Sequence, residues 1–169
     1  MPMNETRIAR LYKSEAKSLD AFDKRILRIV QRDANRSVSD IAAEVGLSQT
    51  PCWKRLRQLT VSGAIKRKVA LLDQKKLGLG TTVIVSIKAG THSSKDLARF
   101  AAKIAAMEEV MTLYRLAGDT DFVLTVVVPN QEAYEEFYQR LVKLFPFKDV
   151  TSRFVLENIK YETAFPIRD

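Results

Sequence analysis

From Leu19 onward the chain settles into a helical rhythm of apolar and polar positions. In LDAFDKRILRIVQRD the residues Leu19, Phe22, Ile26, Leu27, Ile29 and Val30 fall largely on one face, and Asp20 stands where it can cap the helix. NRS breaks the pattern. SVSDIAAEV predicts a short second helix, with Ser37 or Ser39 near its start and Gly46 at its end. Leu47 fills the turn and Ser48 is placed to cap a third helix. Pro51 is tolerated there because it falls in the first turn. This helix runs to about Val61, and SGAIKRKVALLD then reads as a turn and a strand or wing. The stretch before Leu19 is polar and charged without a core face, which predicts a frayed or loosely helical arm.

KKLGLG marks a boundary, and beyond it strands and helices alternate. TTVIVSIKA predicts an apolar strand, and SKDLARFAAKIAAMEEV a helix with Leu97, Phe100, Ala101, Ile104 and Met107 inward. MTLYRLAGDTDFVLTVVV reads as two strands around a Gly-Asp turn. Asn130 caps QEAYEEFYQRLVKLF, whose Ala133, Tyr134, Phe137, Leu141 and Leu144 share a face, and DVTSRFVLENIKYETAFPI predicts a closing strand. The order is β-α-β-β-α-β. The expected fold is therefore α+β in two domains: an N-terminal winged helix-turn-helix over residues 19–78, preceded by an arm at 1–18, then a C-terminal ferredoxin-like domain over 79–169.

The third helix decides what the first domain is for. At about 100° per residue, Leu56 and Leu59 fall within about 40° of Cys52, giving a buried stripe. Thr50, Lys54 and Arg57 gather opposite, flanked by Gln58 and Trp53. Ala42 and Gly46, four apart, let two helices cross closely and turn sharply. A helix so presented fits the major groove of duplex DNA, with Gln49, Thr50 and Lys54 toward base edges and Ser48 and Pro51 in the same DNA-binding set. Arg55, Arg57 and the run Lys66, Arg67, Lys68 suit phosphates. Trp53 is expected either beneath the wing or along the DNA backbone.

Charge sharpens this reading. Residues 1–78 carry 17 basic and 8 acidic side chains, residues 79–169 carry 11 and 12, so the whole surplus lies in the first half. A basic half joined to a neutral one is the footprint of a nucleic-acid module carrying a second module. One cysteine, Cys52, fits a reducing compartment, and with His92 as the single histidine a metal site has almost no ligands. No apolar run approaches the ~18 residues of a membrane helix, and the opening residues lack a signal-like apolar segment. The expectation is a cytoplasmic protein with no metal and no membrane partner.

The pattern L-D-x-x-D-x-x-I-L from Leu19, L-S-x-T-P-C from Leu47 and G-x-I from Gly63 resembles the DNA-binding half of the Lrp/AsnC (leucine-responsive/asparagine-type, feast/famine) bacterial transcription regulators. LAGDTDFVL resembles that family's G-D-x-D hairpin, and VTSRFVLENIKYETAFPI its closing strand, so the resemblance spans residues 19 to 167. It implies dimers formed through the αβ half and assembled into tetramers or octamers on DNA, hence a nucleoid-associated protein. It implies no cofactor but a small-molecule effector, typically an amino acid, bound between subunits. Carried over, the recognition unit is Val38 to Arg57. The effector loop is Leu116, Ala117, Gly118, Asp119, Thr120 and Asp121, with Arg153, Phe154 and Val155 supplied by a neighbour. Ala117 stands where a Thr is frequent and Thr120 where an aromatic is frequent, departures that bear on the ligand's identity.

On the residues alone, two uses of that loop stay open. Asp119 or Asp121 can pair with an α-ammonium group, or the Gly-Asp pair merely makes the hairpin turn and caps its own backbone. Rival functions have less behind them. An enzyme would need a partner for the two aspartates, and neither a catalytic constellation nor a phosphate-cradling loop is present. An RNA-binding sheet would need aromatic rings where DFVLTVVV is aliphatic. An amino-acid sensor that no longer binds DNA would not need the basic face, and a ligand-independent DNA-organising protein would not need the loop.

Overall fold

The computed structural model describes residues 19–90 and 93–168, so the expected arm and His92 lie outside it. Two compact units are present, Met1–Ala70 with Lys160–Asp169, and Leu71–Ile159.

The first unit holds three helices, α1 (Ala21–Val30), α2 (Val38–Val45) and α3 (Gln49–Val61). Asp20 caps α1 by accepting from the Asp23 N–H, while the Asp23 carboxylate accepts from the Asp20 N–H, a reciprocal capping box. Ser37, rather than Ser39, caps α2. Ile26, Ile41, Ala42, Val45, Cys52 and Leu59 form the core, with Leu27, Leu47, Leu56 and Ile65 packed around it. The α2–α3 turn closes as Leu47 N–H donates to the Ala42 carbonyl at 2.8 Å and Gly46 N–H to the Ala43 carbonyl at 3.3 Å. Gly46 has φ +74°, and a Cβ there would meet no atom within 4 Å. Its backbone angle, not crowding, requires the glycine.

The turn expected after α3 is present, with Ile65 N–H donating to the Leu59 carbonyl at 3.0 Å. The strand or wing expected beyond it is not: residues 66–73 are exposed and carry no strand pairing among the described residues. A strand needs a neighbour for its N–H and C=O groups, and the chain places none beside this stretch.

The second unit opens with a 3-10 turn at Lys75–Leu77, followed by β1 (Thr81–Ala89), α4 (Ser94–Ala105), β2 (Val110–Arg115), β3 (Phe122–Val128), α5 (Gln131–Lys143) and β4 (Phe147–Phe154). The sheet order β2-β3-β1-β4, with every neighbouring pair antiparallel, is the expected ferredoxin-like arrangement. Strict alternation in β1 and β3 sends Val83, Val85, Ile87, Phe122, Leu124 and Val126 into one core with Leu97, Phe100, Ile104, Tyr134, Phe137 and Leu141 of the helices. α4 ends at Ala105, five residues short of its expected limit. Met107 N–H and Val110 N–H instead take turn bonds to Ile104 and Met107, and Val110 begins β2.

The closing strand is also shorter than expected. Phe154 pairs with Val83, and Val155 N–H reaches the Thr82 carbonyl at 2.9 Å, where β1 itself runs out. Beyond that point Leu156 is 99% exposed. The chain then returns to the helical unit. Gln31 on α1 grips the backbone of Phe165 at both ends, its amide nitrogen donating to the carbonyl at 3.0 Å and its amide oxygen accepting from the N–H at 2.9 Å. Arg28 Nε donates to the Ile167 carbonyl at 3.1 Å. The domains expected at 19–78 and 79–169 therefore differ from the units seen at both limits. Residues 71–78 join the sheet unit, where Gln74 Nε2 donates to the Leu79 carbonyl at 2.6 Å and to Thr82 Oγ1 at 3.0 Å, and residues from 160 onward join the helices.

Replacing Gln31 by Ala removes both bonds to Phe165. The expected result is faster amide hydrogen exchange and easier proteolysis over residues 160–168, with about 1 kcal/mol lost in a denaturant melt. Unchanged exchange at Phe165 would show that the tail is held by other contacts.

Candidate nucleic-acid interface and effector loop

α3 begins in an unusual way. Ser48 holds the N-cap position with extended backbone, φ −75° and ψ 163°, yet its hydroxyl makes no cap bond. One reason lies in the next residues. A cap side chain bonds the second or third N–H of its helix; the third residue here is Pro51, which has none, and the remaining donor, the Thr50 N–H, is not bonded by Ser48. The first turn of α3 also lacks an acidic residue, whereas α1 carries Asp23 and α2 Asp40. The positive end of this helix is left neither capped nor neutralised by its own side chains.

Gln49, Thr50, Trp53, Lys54 and Arg57 are all exposed on α3, while Cys52 and Leu59 point into the core. Burial raises the Cys52 thiol above its ordinary value, so it remains a protonated core side chain. Trp53 is not buried beneath a wing; it is 49% exposed, with the Arg57 guanidinium 5.6 Å above its ring.

Arg55 behaves differently from its neighbours. Expected on phosphates, it turns back onto α1, where Nη1 meets Asp20 Oδ2 at 2.6 Å and Asp23 Oδ1 at 2.8 Å, and its guanidinium sits 5.3 Å over the Phe22 ring. Helical geometry explains this, because Arg55 lies about 60° from the buried stripe, on the side facing α1. The two carboxylates that cap α1 thus also hold α3. The Asp23 N–H, and after it the Arg55 guanidinium, keep the Asp20 carboxyl below its ordinary 3.8, against an opposing push from burial. The basic run after α3 divides in the same way. Lys68 Nζ donates to the Ala34 carbonyl at 3.1 Å, while Lys66 and Arg67 are exposed.

In the sheet unit, the β2–β3 hairpin is closed by Leu116 N–H donating to the Asp121 carbonyl at 2.9 Å. Gly118 has φ +132°, a conformation that side chains strain against. The two aspartates of the loop separate sharply. Asp121 is built into the sheet end, its N–H on the Ile87 carbonyl at 3.0 Å and its Oδ2 accepting from the Ala89 N–H at 2.7 Å beside the bulge between Lys88 and Ala89. Asp119 has a side chain 92% exposed, with Lys88 Nζ 3.8 Å away. Ala117 is exposed and Thr120 half-buried beside it.

Arg153, Phe154 and Val155 are not brought to this loop within one chain. Phe154 lies opposite Val83, whereas the hairpin meets β1 at Ile87 and Ala89, about 14 Å further along at the usual rise per residue. Arg153 Nη1 donates to Ser86 Oγ at 3.0 Å. Sequence reasoning passed over a cleft of 630 Å³ lined by Asn130, Gln131, Glu132, Tyr134, Glu135 and Phe154 at the start of α5. Its lining is scattered between one helix end and one strand end, which leaves no local pattern to read. Among the described residues no group of histidine, cysteine, aspartate and glutamate side chains can hold a metal ion, and no helix is long and apolar enough to cross a membrane.

A helix-turn-helix with an open cationic recognition face, on a chain that also carries a ferredoxin-like unit with a glycine-aspartate hairpin, has the build of a two-domain DNA-binding regulator. Comparison with known proteins agrees. Residues 19–60 match the AsnC-type helix-turn-helix domain and residues 82–165 the Lrp/AsnC ligand binding domain. The chain is 45% identical over 150 residues to the DNA-binding transcriptional activator DecR of Escherichia coli (strain K12), covering 88% of this chain and 99% of that protein. Among solved structures, it is similar to an AsnC family transcriptional regulator from Agrobacterium tumefaciens, with a TM-score of 0.84 and 45% identity over 87% of this chain and 96% of that one. A transcriptional regulator from Neisseria meningitidis, solved as its complex with L-methionine, matches with a TM-score of 0.83 and 29% identity over 88% and 97% of the two chains. The chain belongs to the Lrp/AsnC family; it is a transcription regulator and not an enzyme.

The Arg55 latch and the open face separate in experiment. Arg55→Ala is expected to cost about 1–2 kcal/mol of stability, surface ion pairs being individually weak, while leaving the slope of log affinity against log salt on duplex DNA unchanged. Lys66→Ala and Arg67→Ala, both exposed, each lower that slope by about 0.9 if they neutralise a phosphate, with little change in stability. Because the Asp20 pKa is depressed, its share of the latch is fully present above 3.8 and is lost as pH falls through the still lower folded value. A melt followed from pH 7 into the acid range below 3.8 is expected to show a larger loss in the wild type than in Asp20→Asn. A slope that drops with Arg55→Ala would place Arg55 on the DNA after all.

Proposed function

We propose that this chain regulates transcription as an oligomer whose DNA-bound geometry is set by an amino acid held between subunits. The observation that carries the reading is the division of labour in the Gly118 hairpin, where Asp121 is spent on the sheet end and Asp119 is left in solvent. An exposed carboxylate beside a positive-φ glycine suits the α-ammonium of an amino acid, with backbone groups at hand for its other end. The L-methionine held by the Neisseria meningitidis regulator supports an effector of this chemical class.

A second chain is required by the same reading. The hairpin and the closing-strand residues Arg153, Phe154 and Val155 lie toward opposite ends of β1, so a site that uses both must draw them from two copies. The open sheet face supports pairing of copies: Ile84, Val123, Thr125 and Val127 point away from the helices and present a largely aliphatic surface. Dimers that assemble further would space their recognition helices to meet half-sites one helical turn of DNA apart, about 34–36 Å, or multiples of it. Gln49, Thr50 and Lys54 would face base edges, and Lys66 and Arg67 the phosphates. An effector that binds one assembly better than another shifts this spacing, with a coupling of roughly 1–3 kcal/mol. The effector is the one small molecule the mechanism needs, without metal or cofactor, and the compartment is the cytoplasm, on the nucleoid.

A thermal-shift panel of the common amino acids tests this. A ligand at 100 times its dissociation constant is expected to stabilise the protein by roughly 2.7 kcal/mol. Asp119→Ala is expected to abolish the shift without lowering the unliganded melting point, whereas Asp121→Ala lowers that melting point by removing the Ala89 bond. No shift with any amino acid, together with unaltered DNA binding by Asp119→Ala, would leave a ligand-independent DNA-organising protein.

A further inference from the structure

The recognition face carries one large side chain that phosphate attraction does not account for. Trp53 lies half in solvent on α3, outside the core cluster of its unit, and is the chain's one tryptophan. The Arg57 guanidinium, a helical turn further on, lies 5.6 Å over its ring. The other stacked cations among the described residues of this unit, Arg25 and Arg55, both lie over Phe22, which is half-buried. Among the described residues Arg57 meets no carboxylate, while Arg55 is bound by two. α3 therefore offers the outside a single free guanidinium, and it is held against an indole. By helical geometry Trp53 and Arg57 sit about 40° apart and continue into Thr50 and Lys54, so all four share one surface.

Resting on the DNA-binding reading above, we propose that Trp53 and Arg57 form one base-reading unit, in which the indole contacts the 5-methyl group of a thymine and holds the guanidinium for the neighbouring guanine. The chemistry of the groove favours this assignment. The thymine methyl is the one apolar group on the major-groove edge, and O6 and N7 of guanine are the acceptors that a planar guanidinium matches with two bonds. Stacking on the indole restricts the arginine rotamers before DNA arrives, so less freedom is lost when those bonds form. A recognition helix with this pair reads sequence by shape and apolar contact as well as by charge.

The test selects duplexes from a random library with the full chain and with Trp53→Ala. Trp53 lies outside the core, and a melt of the variant establishes that it folds. The wild type is expected to enrich a motif with a thymine that Trp53→Ala no longer demands. Replacing that thymine by uracil, which removes only the methyl, should weaken the wild type about fourfold, the equivalent of ~0.8 kcal/mol for one buried methyl group, and leave the variant unaffected. The salt slopes of the two proteins should agree, because the indole carries no charge. Arg57→Lys should relax the choice of the adjacent guanine while keeping the slope. Identical motifs from both proteins, with no uracil effect at any thymine, would overturn the proposal and leave the regulator reading standing. A wild type that enriches no motif at all would overturn both. The tryptophan also reports directly: its emission should shift when the selected duplex binds, and an unchanged spectrum counts against the contact.

Discussion

The DNA-binding unit depends on a grip made twice by the same two carboxylates. Asp20 and Asp23 cap the first turn of α1, and together they hold Arg55 from the middle of α3. Neither bond is strong in isolation, since all three groups touch water. Their value is geometric. With α1 and α3 fixed to one another at this point, the rotation of the recognition helix about its own axis is set, and so is the list of side chains it turns outward. Arg55 is withdrawn from that list; Thr50, Trp53, Lys54 and Arg57 are left on it. A helix with three basic residues in four positions offers DNA several rotations, and the latch selects one.

Much of this was legible in the chain, because it follows from local periodicity. The stripe of Cys52, Leu56 and Leu59, the caps at Asp20, Ser37 and Asn130, the turn at Gly46 and the β-α-β-β-α-β order are all written within a few residues of where they act. What failed were statements that needed a distant partner. The wing after Gly63 requires a strand beside it, and none is supplied. The closing strand stops at Phe154 because β1, not β4, runs out. Arg55 reads as a phosphate ligand until Asp20 and Asp23, an entire helix-turn-helix away in sequence, are brought alongside.

The candidate effector loop shows the same limit. Two aspartates separated by one residue look equivalent in LAGDTDFVL, and alternation does not tell them apart. Pairing does. Asp121 falls where β3 begins and the β1 bulge leaves the Ala89 N–H in need of an acceptor, so its carboxylate becomes part of the scaffold. Asp119 falls beyond the last ladder bond and is left outside. The hairpin thus combines a rigid frame with one solvent-facing carboxylate whose nearest cation is Lys88.

The return of residues 160–168 to α1 has a consequence in time as well as in space. A ribosome delivers the three helices first, then the whole sheet unit, and only afterwards the stretch that Gln31 and Arg28 hold. The helix-turn-helix therefore emerges without its last strap, and completes itself after its companion unit has been made. The order of synthesis places a delay between having a recognition helix and having the finished unit that presents it.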